Sequence, residues 1–160
     1  MAVSISRAQF LRGDVRGERA PVRPPWALPE ALFTDRCSRC GDCIDACPEH
    51  LLAARGGGYP AVDFDGAACT FCGQCVGACR DSALLREGTA RPWTLHAYIT
   101  ERCLARDTTV CTTCAEYCEA QAISFVPRVG TVAQPMLDRE CCTGCGACYA
   151  ACPVRAITMR

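Results

Sequence analysis

Cysteine spacing constrains this chain more than any other feature. Seventeen of its 160 residues are cysteine, about 11% against the ~8–10% above which a short chain is organised by its cysteines. Cys37, Cys40, Cys43 and Cys47 form a C-x2-C-x2-C-x3-C run followed by Pro48. Cys142, Cys145, Cys148 and Cys152, followed by Pro153, repeat it. Cys69, Cys72, Cys75 and Cys79 repeat the cysteines, with Arg80 in place of the proline. A further set is irregular. Cys111, Cys114 and Cys118 keep the second half of the run, position 108 is threonine, and the nearest upstream thiol is Cys103. Cys141 is left over and is expected to be a structural thiol, the alternative being that Cys141 and Cys142 exchange roles.

An odd cysteine count with no export signal argues against a disulfide framework and for a reducing cytoplasm, where dense cysteine means metal. The spacing names the metal. Three thiolates two residues apart in one tight loop reach three corners of a cubane, and successive backbone N–H groups of such a loop form a nest for its sulfurs. This is the C-x2-C-x2-C-x3-C-P run of bacterial [4Fe–4S] proteins. A structural zinc site instead takes two separated C-x2-C knuckles. In the irregular set the longer Cys103–Cys111 loop adds little closure cost, so a fourth [4Fe–4S] site is expected there. A vestigial or zinc site is the alternative.

The final cysteines of the sets, Cys47, Cys79, Cys118 and Cys152, recur at intervals of 32, 39 and 34 residues. An apolar pair follows each: Leu51-Leu52, Ala83-Leu84, Ala122-Ile123 and Ala156-Ile157. A repeated unit is therefore present: a cysteine loop, about one helical turn, and an apolar pair that can cover a cluster. Segments 59–65 and 134–138 read as short strands entering the second and fourth sets, and Gly56-Gly57-Gly58 as a turn. The fold class expected is α+β. Two tandem two-cluster units occupy about residues 35–88 and 100–160, joined by a linker at 89–99 and preceded by a basic, proline-containing arm at 1–34. Units so small bury little apolar area, so the clusters act as core and the cluster-free chain should be largely unfolded.

In two-cluster ferredoxins the fourth cysteine of one run serves the other cluster. Carried over, the quartets are Cys37/Cys40/Cys43/Cys79, Cys69/Cys72/Cys75/Cys47, Cys103/Cys111/Cys114/Cys152 and Cys142/Cys145/Cys148/Cys118. Four-cluster electron-transfer subunits instead pair outer run with outer and inner with inner. The spacing leaves both pairings open and the sixteen ligands unchanged.

The rest of the chain narrows the function by exclusion. Seventeen acidic residues balance seventeen basic ones, all arginine. Five arginines against two acids give residues 1–23 a net charge of +3, but Phe10 is the one aromatic among them, so nucleic acid is not the expected partner. No apolar run approaches the ~20 residues of a membrane span. Neither a phosphate-binding glycine loop nor a nucleophile–base signature is present, and the chain is read as a non-enzyme. His50 and His96 sit in no ligand spacing. Trp26 in Arg23-Pro24-Pro25-Trp26 and Trp93 in Arg91-Pro92-Trp93 are large anchors, expected to pack on the protein's own body.

Several elements together resemble one family, the ferredoxin-type NapF proteins of the periplasmic nitrate reductase system. They are Ser6-Arg7, Arg23 to Trp26, Gly57 to Pro60, Cys69-x-Phe71-Cys72, Arg91-x-Trp93, Cys114 to Glu119 and Cys142-x-Gly144-Cys145-Gly146-Ala147-Cys148. The family's early arginine pair is Arg7-Ala8 here. The resemblance implies a cytoplasmic iron–sulfur protein that binds the unexported precursor of the molybdenum-containing catalytic subunit. It implies a role in that subunit's maturation, by loading or reducing its [4Fe–4S] cluster before export. A soluble polyferredoxin electron carrier is the other reading that this cofactor content fits.

Overall fold

The computed structural model describes residues 21–160, so the Ser6-Arg7 element and the first twenty residues of the arm lie outside the described residues. Five short helices and six strands are present among them. The helices are α1 (Glu30–Arg36), α2 (Asp42–Asp45), α3 (Gln74–Ala78), α4 (Thr113–Glu116) and α5 (Ala147–Ala151). The strands are β1 (Leu52–Arg55), β2 (Tyr59–Val62), β3 (Ala97–Ile99), β4 (Ile123–Arg128), β5 (Thr131–Leu137) and β6 (Ile157–Met159). No described helix is long and apolar enough to cross a membrane.

The two halves of the chain follow the same path. In the second half, β3 leads into a cysteine loop and α4, the β4–β5 hairpin leads into the next loop and α5, and β6 returns to pair antiparallel with β3 through Ile99↔Ile157. In the first half the β1–β2 hairpin occupies the corresponding place. Its terminal sheet shrinks to one antiparallel bridge, Ala27↔Leu84. Equivalent backbone bonds mark the correspondence. Leu28 donates to Ala83 at 3.1 Å as Thr100 does to Ala156 at 2.8 Å, and Asp63 to Leu51 as Asp138 to Ala122, both at 2.8 Å.

Local chemistry explains the turns. Gly56, Gly57 and Gly58 all take positive φ between β1 and β2, which glycine does without a Cβ penalty. Val129 and Gly130 (φ 77°) turn β4 into β5. The residue three after each final cysteine, namely His50, Ser82, Gln121 and Arg155, has a φ of 48–52°. Each donates its amide back to that cysteine's carbonyl. This reversal drives the following apolar pair inward. Leu51, Leu52, Ala83, Leu84, Ala122, Ile123, Ala156 and Ile157 are all buried. His50 and His96 are not among the residues lining the cysteine cavities.

The described part of the arm lies against the first half. Val22 accepts the Val62 amide at 2.7 Å, and Trp26 accepts that of Leu85 at 2.8 Å. Arg23 makes a bidentate pair with Glu30 (2.6 and 2.9 Å), donates to the Pro60 carbonyl, and stacks over Phe33 at 4.9 Å. Trp26 is buried, with its indole N–H on the Ala90 carbonyl at 3.2 Å. Both tryptophans thus anchor the protein's own body, and Trp93 does so between the halves.

Candidate metal centre

Each half has one core, and cysteines are part of it. Cys43 and Cys75 lie among Phe33, Leu52, Ala83 and Leu84 in the first half. Cys103, Cys114 and Cys148 lie among Ala97, Ile99, Ala105, Ile123 and Ile157 in the second. Four cavities open inside these cores, and each is lined by four cysteines. Site 1 has Cys37, Cys40, Cys43 and Cys79. Site 2 has Cys69, Cys72, Cys75 and Cys47. Site 3 has Cys103, Cys111, Cys114 and Cys152. Site 4 has Cys142, Cys145, Cys148 and Cys118.

All sixteen candidate ligands are therefore gathered, in quartets that exchange the fourth cysteine within a half. Outer runs do not meet each other here, nor do inner ones. Cys141 joins no quartet. It is exposed, and the Asp138 carboxylate beside it holds its thiol above the ordinary value. The irregular third set lines a cavity with four cysteines, as its siblings do. Thr108, at φ 58°, turns the longer loop so that Cys103 takes the first ligand's place.

The loops are shaped alike. In runs one, two and four the residue before the second cysteine is left-handed: Arg39 at 63°, Phe71 at 54° and Gly144 at 74°. A left-handed glycine follows that cysteine each time, at Gly41, Gly73 and Gly146, and starts the helix. The third buried cysteine sits on that helix, where Cys43, Cys75, Cys114 and Cys148 face the core. Backbone amides point at sulfur. Phe71 donates to Cys69 Sγ at 3.4 Å, Ala122 to Cys118 Sγ at 3.3 Å and Ala156 to Cys152 Sγ at 3.2 Å.

The donor set fits a polynuclear iron–sulfur group. Four thiols surround each void, the all-thiolate donor set of a [4Fe–4S] group. Burial first, and neighbouring thiols second, push Cys43 and Cys148 up to about 12 and Cys114 up to about 11. Cys69 and Cys75 are likewise raised by burial, to about 12 and about 11. Such crowding of thiols is unfavourable when they ionise unless a cationic centre compensates them. Cys40 and Cys72, one each from sites 1 and 2, are exposed, while no ligand of the second half is.

The halves meet at sites 2 and 4. The Cys69 amide donates to the Cys145 carbonyl at 2.8 Å. A Cβ at Gly146 would run into the buried Phe64 ring, and one at Gly144 into the Leu95 carbonyl. Arg39 and Phe71 adopt the same left-handed turn as Gly144, so glycine is required at 144 for close approach and not for φ. Phe64 packs against Trp93 (6.1 Å) and Tyr149 (6.0 Å), and Phe71 against Trp93 (5.7 Å). Sequence reading did not find this seam. Its only linear signal was glycine at 144 where sibling runs carry larger residues.

Known proteins point the same way. Residues 36–83 match the 4Fe-4S dicluster domain family and residues 135–158 the 4Fe-4S binding domain family. The chain is 41% identical to the ferredoxin-type protein NapF of Escherichia coli (strain K12), over 99% of this chain and 96% of that protein. It is 40% identical to the ferredoxin-type protein NapF of Haemophilus influenzae, over 98% of this chain and 94% of that one. The methylamine utilization ferredoxin-type protein MauM of Methylophilus methylotrophus is 32% identical over 92% of this chain and 74% of its own length.

Proposed function

The chain belongs to the ferredoxin-type NapF family, and from that premise we propose a cytoplasmic, non-enzymatic accessory protein with four [4Fe–4S] sites. Its partner is the unexported precursor of the periplasmic nitrate reductase catalytic subunit, whose maturation it assists by cluster loading or reduction. Residues 35–88 and 100–160 each act as a two-cluster unit, joined by a linker at 89–99, with the basic arm at 1–34 preceding them. Nucleic acid is not a partner, and the chain has no membrane span. The observation that carries the reading is the gathering of sixteen cysteines into four quartets around similar cavities.

A bound [4Fe–4S] cluster supplies reversible one-electron chemistry or, if released, iron and sulfide. The chain's residues do the rest. The quartets would hold the four groups. Leu52, Leu84, Ile123 and Ile157 exclude water from them. The amides of Phe71, Ala122 and Ala156, aimed at sulfur, would stabilise ligand charge and raise the potential of a group held there. The exposed thiols Cys40 and Cys72 make sites 1 and 2 the ones open to a client.

The experiment is anaerobic. Iron-labelled protein is mixed with cluster-free precursor that still bears its signal, the two are separated, and label is counted in each. Label in the client supports loading, and binding without transfer supports a reductant. Absence of binding overturns the maturation role. A second reading, a polyferredoxin electron carrier, is favoured by the contact between site 2 and site 4 across the halves.

A further inference from the structure

We propose that the Cys69–Cys145 contact is an electronic seam, so that the four sites form one line in the order 1, 2, 4, 3 and not two independent pairs. The inference rests on the four-site reading above and concerns which sites the chain places next to one another. Within the first half, sites 1 and 2 are tied because Cys47 and Cys79 each leave their own run for the other's cavity. Cys118 and Cys152 tie sites 3 and 4 in the same way. Between the halves, among the described residues, the Cys69 amide to Cys145 carbonyl bond is the one backbone hydrogen bond joining candidate ligands. Each of these residues also supplies a sulfur, so the covalent path from one site's sulfur to the other's runs through a single hydrogen bond.

The seam is built for closeness. Gly144 and Gly146 lack the side chains that would hold the loops apart. Phe64, Phe71 and Trp93 close its sides with edge-on ring contacts. Asp65 of the first half meets Tyr149 (3.4 Å) and Arg155 (3.4 Å) of the second. Sites 1 and 3 have no such cross-half contact among the described residues and become the two ends. Run order along the chain would instead put site 2 beside site 3. With [4Fe–4S] groups held by the quartets of sites 2 and 4, Cys69 and Cys145 would offer a one-electron path between them. The group at site 2 would lose one electron and that at site 4 gain it, with no bond made or broken and a low-potential one-electron donor as the source.

The test uses the full chain, reconstituted anaerobically, assayed for iron and reduced with dithionite while its electron paramagnetic resonance spectrum is followed. Four loaded sites correspond to about sixteen irons per chain. The expected spectrum of the fully reduced protein is that of four spins coupled in a line. Gly146→Val drives the Phe64 ring out of the seam, and at unchanged iron content its spectrum should separate into two independent pairs. If the wild-type spectrum at about sixteen irons is already the sum of two independent pairs, the seam is overturned while the four-site reading stands. Coupling that persists unchanged in Gly146→Val also overturns it. Iron near eight per chain, about two sites' worth, overturns the four-site reading and the seam with it. Should Gly146→Val lose its clusters, the wild-type spectrum alone decides.

Discussion

Trp93 donates its indole N–H to the carbonyl of Thr143 across 2.9 Å, from the linker of one half to the cysteine loop of the other. Trp26 makes a similar bond from the arm to Ala90 at the start of the linker. The Trp93 ring also meets Phe64 and Phe71 edge-on. Trp93→Phe keeps most of the ring and loses the bond, which should cost about 0.5–1.5 kcal/mol. Trp93→Ala also forfeits the ring pairs, at about 0.5–1.5 kcal/mol each. The expected outcome is faster proteolysis within the linker of the loaded protein, graded from Phe to Ala, with iron content unchanged. Equal cleavage of all three proteins would show that Trp93 does not hold the halves.

Cys79 follows run two in sequence but lines site 1 with Cys43. Cys79→Ala should therefore weaken the cluster of run one, not of run two. Iron should fall from about sixteen toward about twelve per chain, one four-iron cluster's worth. Alkylation followed by mass spectrometry should find Cys37, Cys40 and Cys43 newly reactive, with Cys69, Cys72 and Cys75 still protected. The reverse pattern would mean that each run keeps its own fourth cysteine.

Much of the site was readable along the chain because its determinants are local. Three cysteines at fixed spacing close one loop, and the left-handed residue after each final cysteine turns an apolar pair such as Leu51-Leu52 inward. The strands that those pairs begin were not anticipated beyond their burial. Leu52 and Ile123 open β1 and β4 only because β2 and β5 lie opposite them. The arm was harder still. Val22 to Leu28 carries no alternating pattern, and its place is fixed by distant partners, Val62, Ala83 and Leu85. The choice between two pairings of runs was likewise invisible, since spacing within a run is silent on where its fourth thiol points.

Thr108 takes a left-handed backbone at φ 58° inside the Cys103–Cys111 loop. A β-branched residue is a poor occupant of that region, where non-glycine residues lose about 1–2 kcal/mol. Glycine removes the penalty but gives back part of it through unfolded-chain entropy. Thr108→Gly should stabilise the loaded protein by up to about 1 kcal/mol, and Thr108→Val should slow loading of site 3 alone. Denaturant unfolding of the loaded variants and iron uptake over time provide the check. Thr108→Gly that is less stable than wild type would mean that the hydroxyl matters more than the turn.

Burial holds Cys43 and Cys148 near 12, far above the ordinary thiol value of 9.0. A group whose folded value is raised adds stability below its unfolded value and loses it as pH climbs from there to the folded value. Whatever order the cluster-free chain retains should therefore be intact below pH 9.0 and fade between pH 9.0 and about 12. The loaded protein has no such transition, because its ligands are already thiolates. The same protons must leave when clusters enter, so loading should release protons and proceed further as pH rises toward 9.0. Circular dichroism of the cluster-free chain across that range, and proton release during reconstitution, test the two halves of the expectation. Identical alkaline profiles for loaded and cluster-free protein would mean that the buried thiols do not report on the fold.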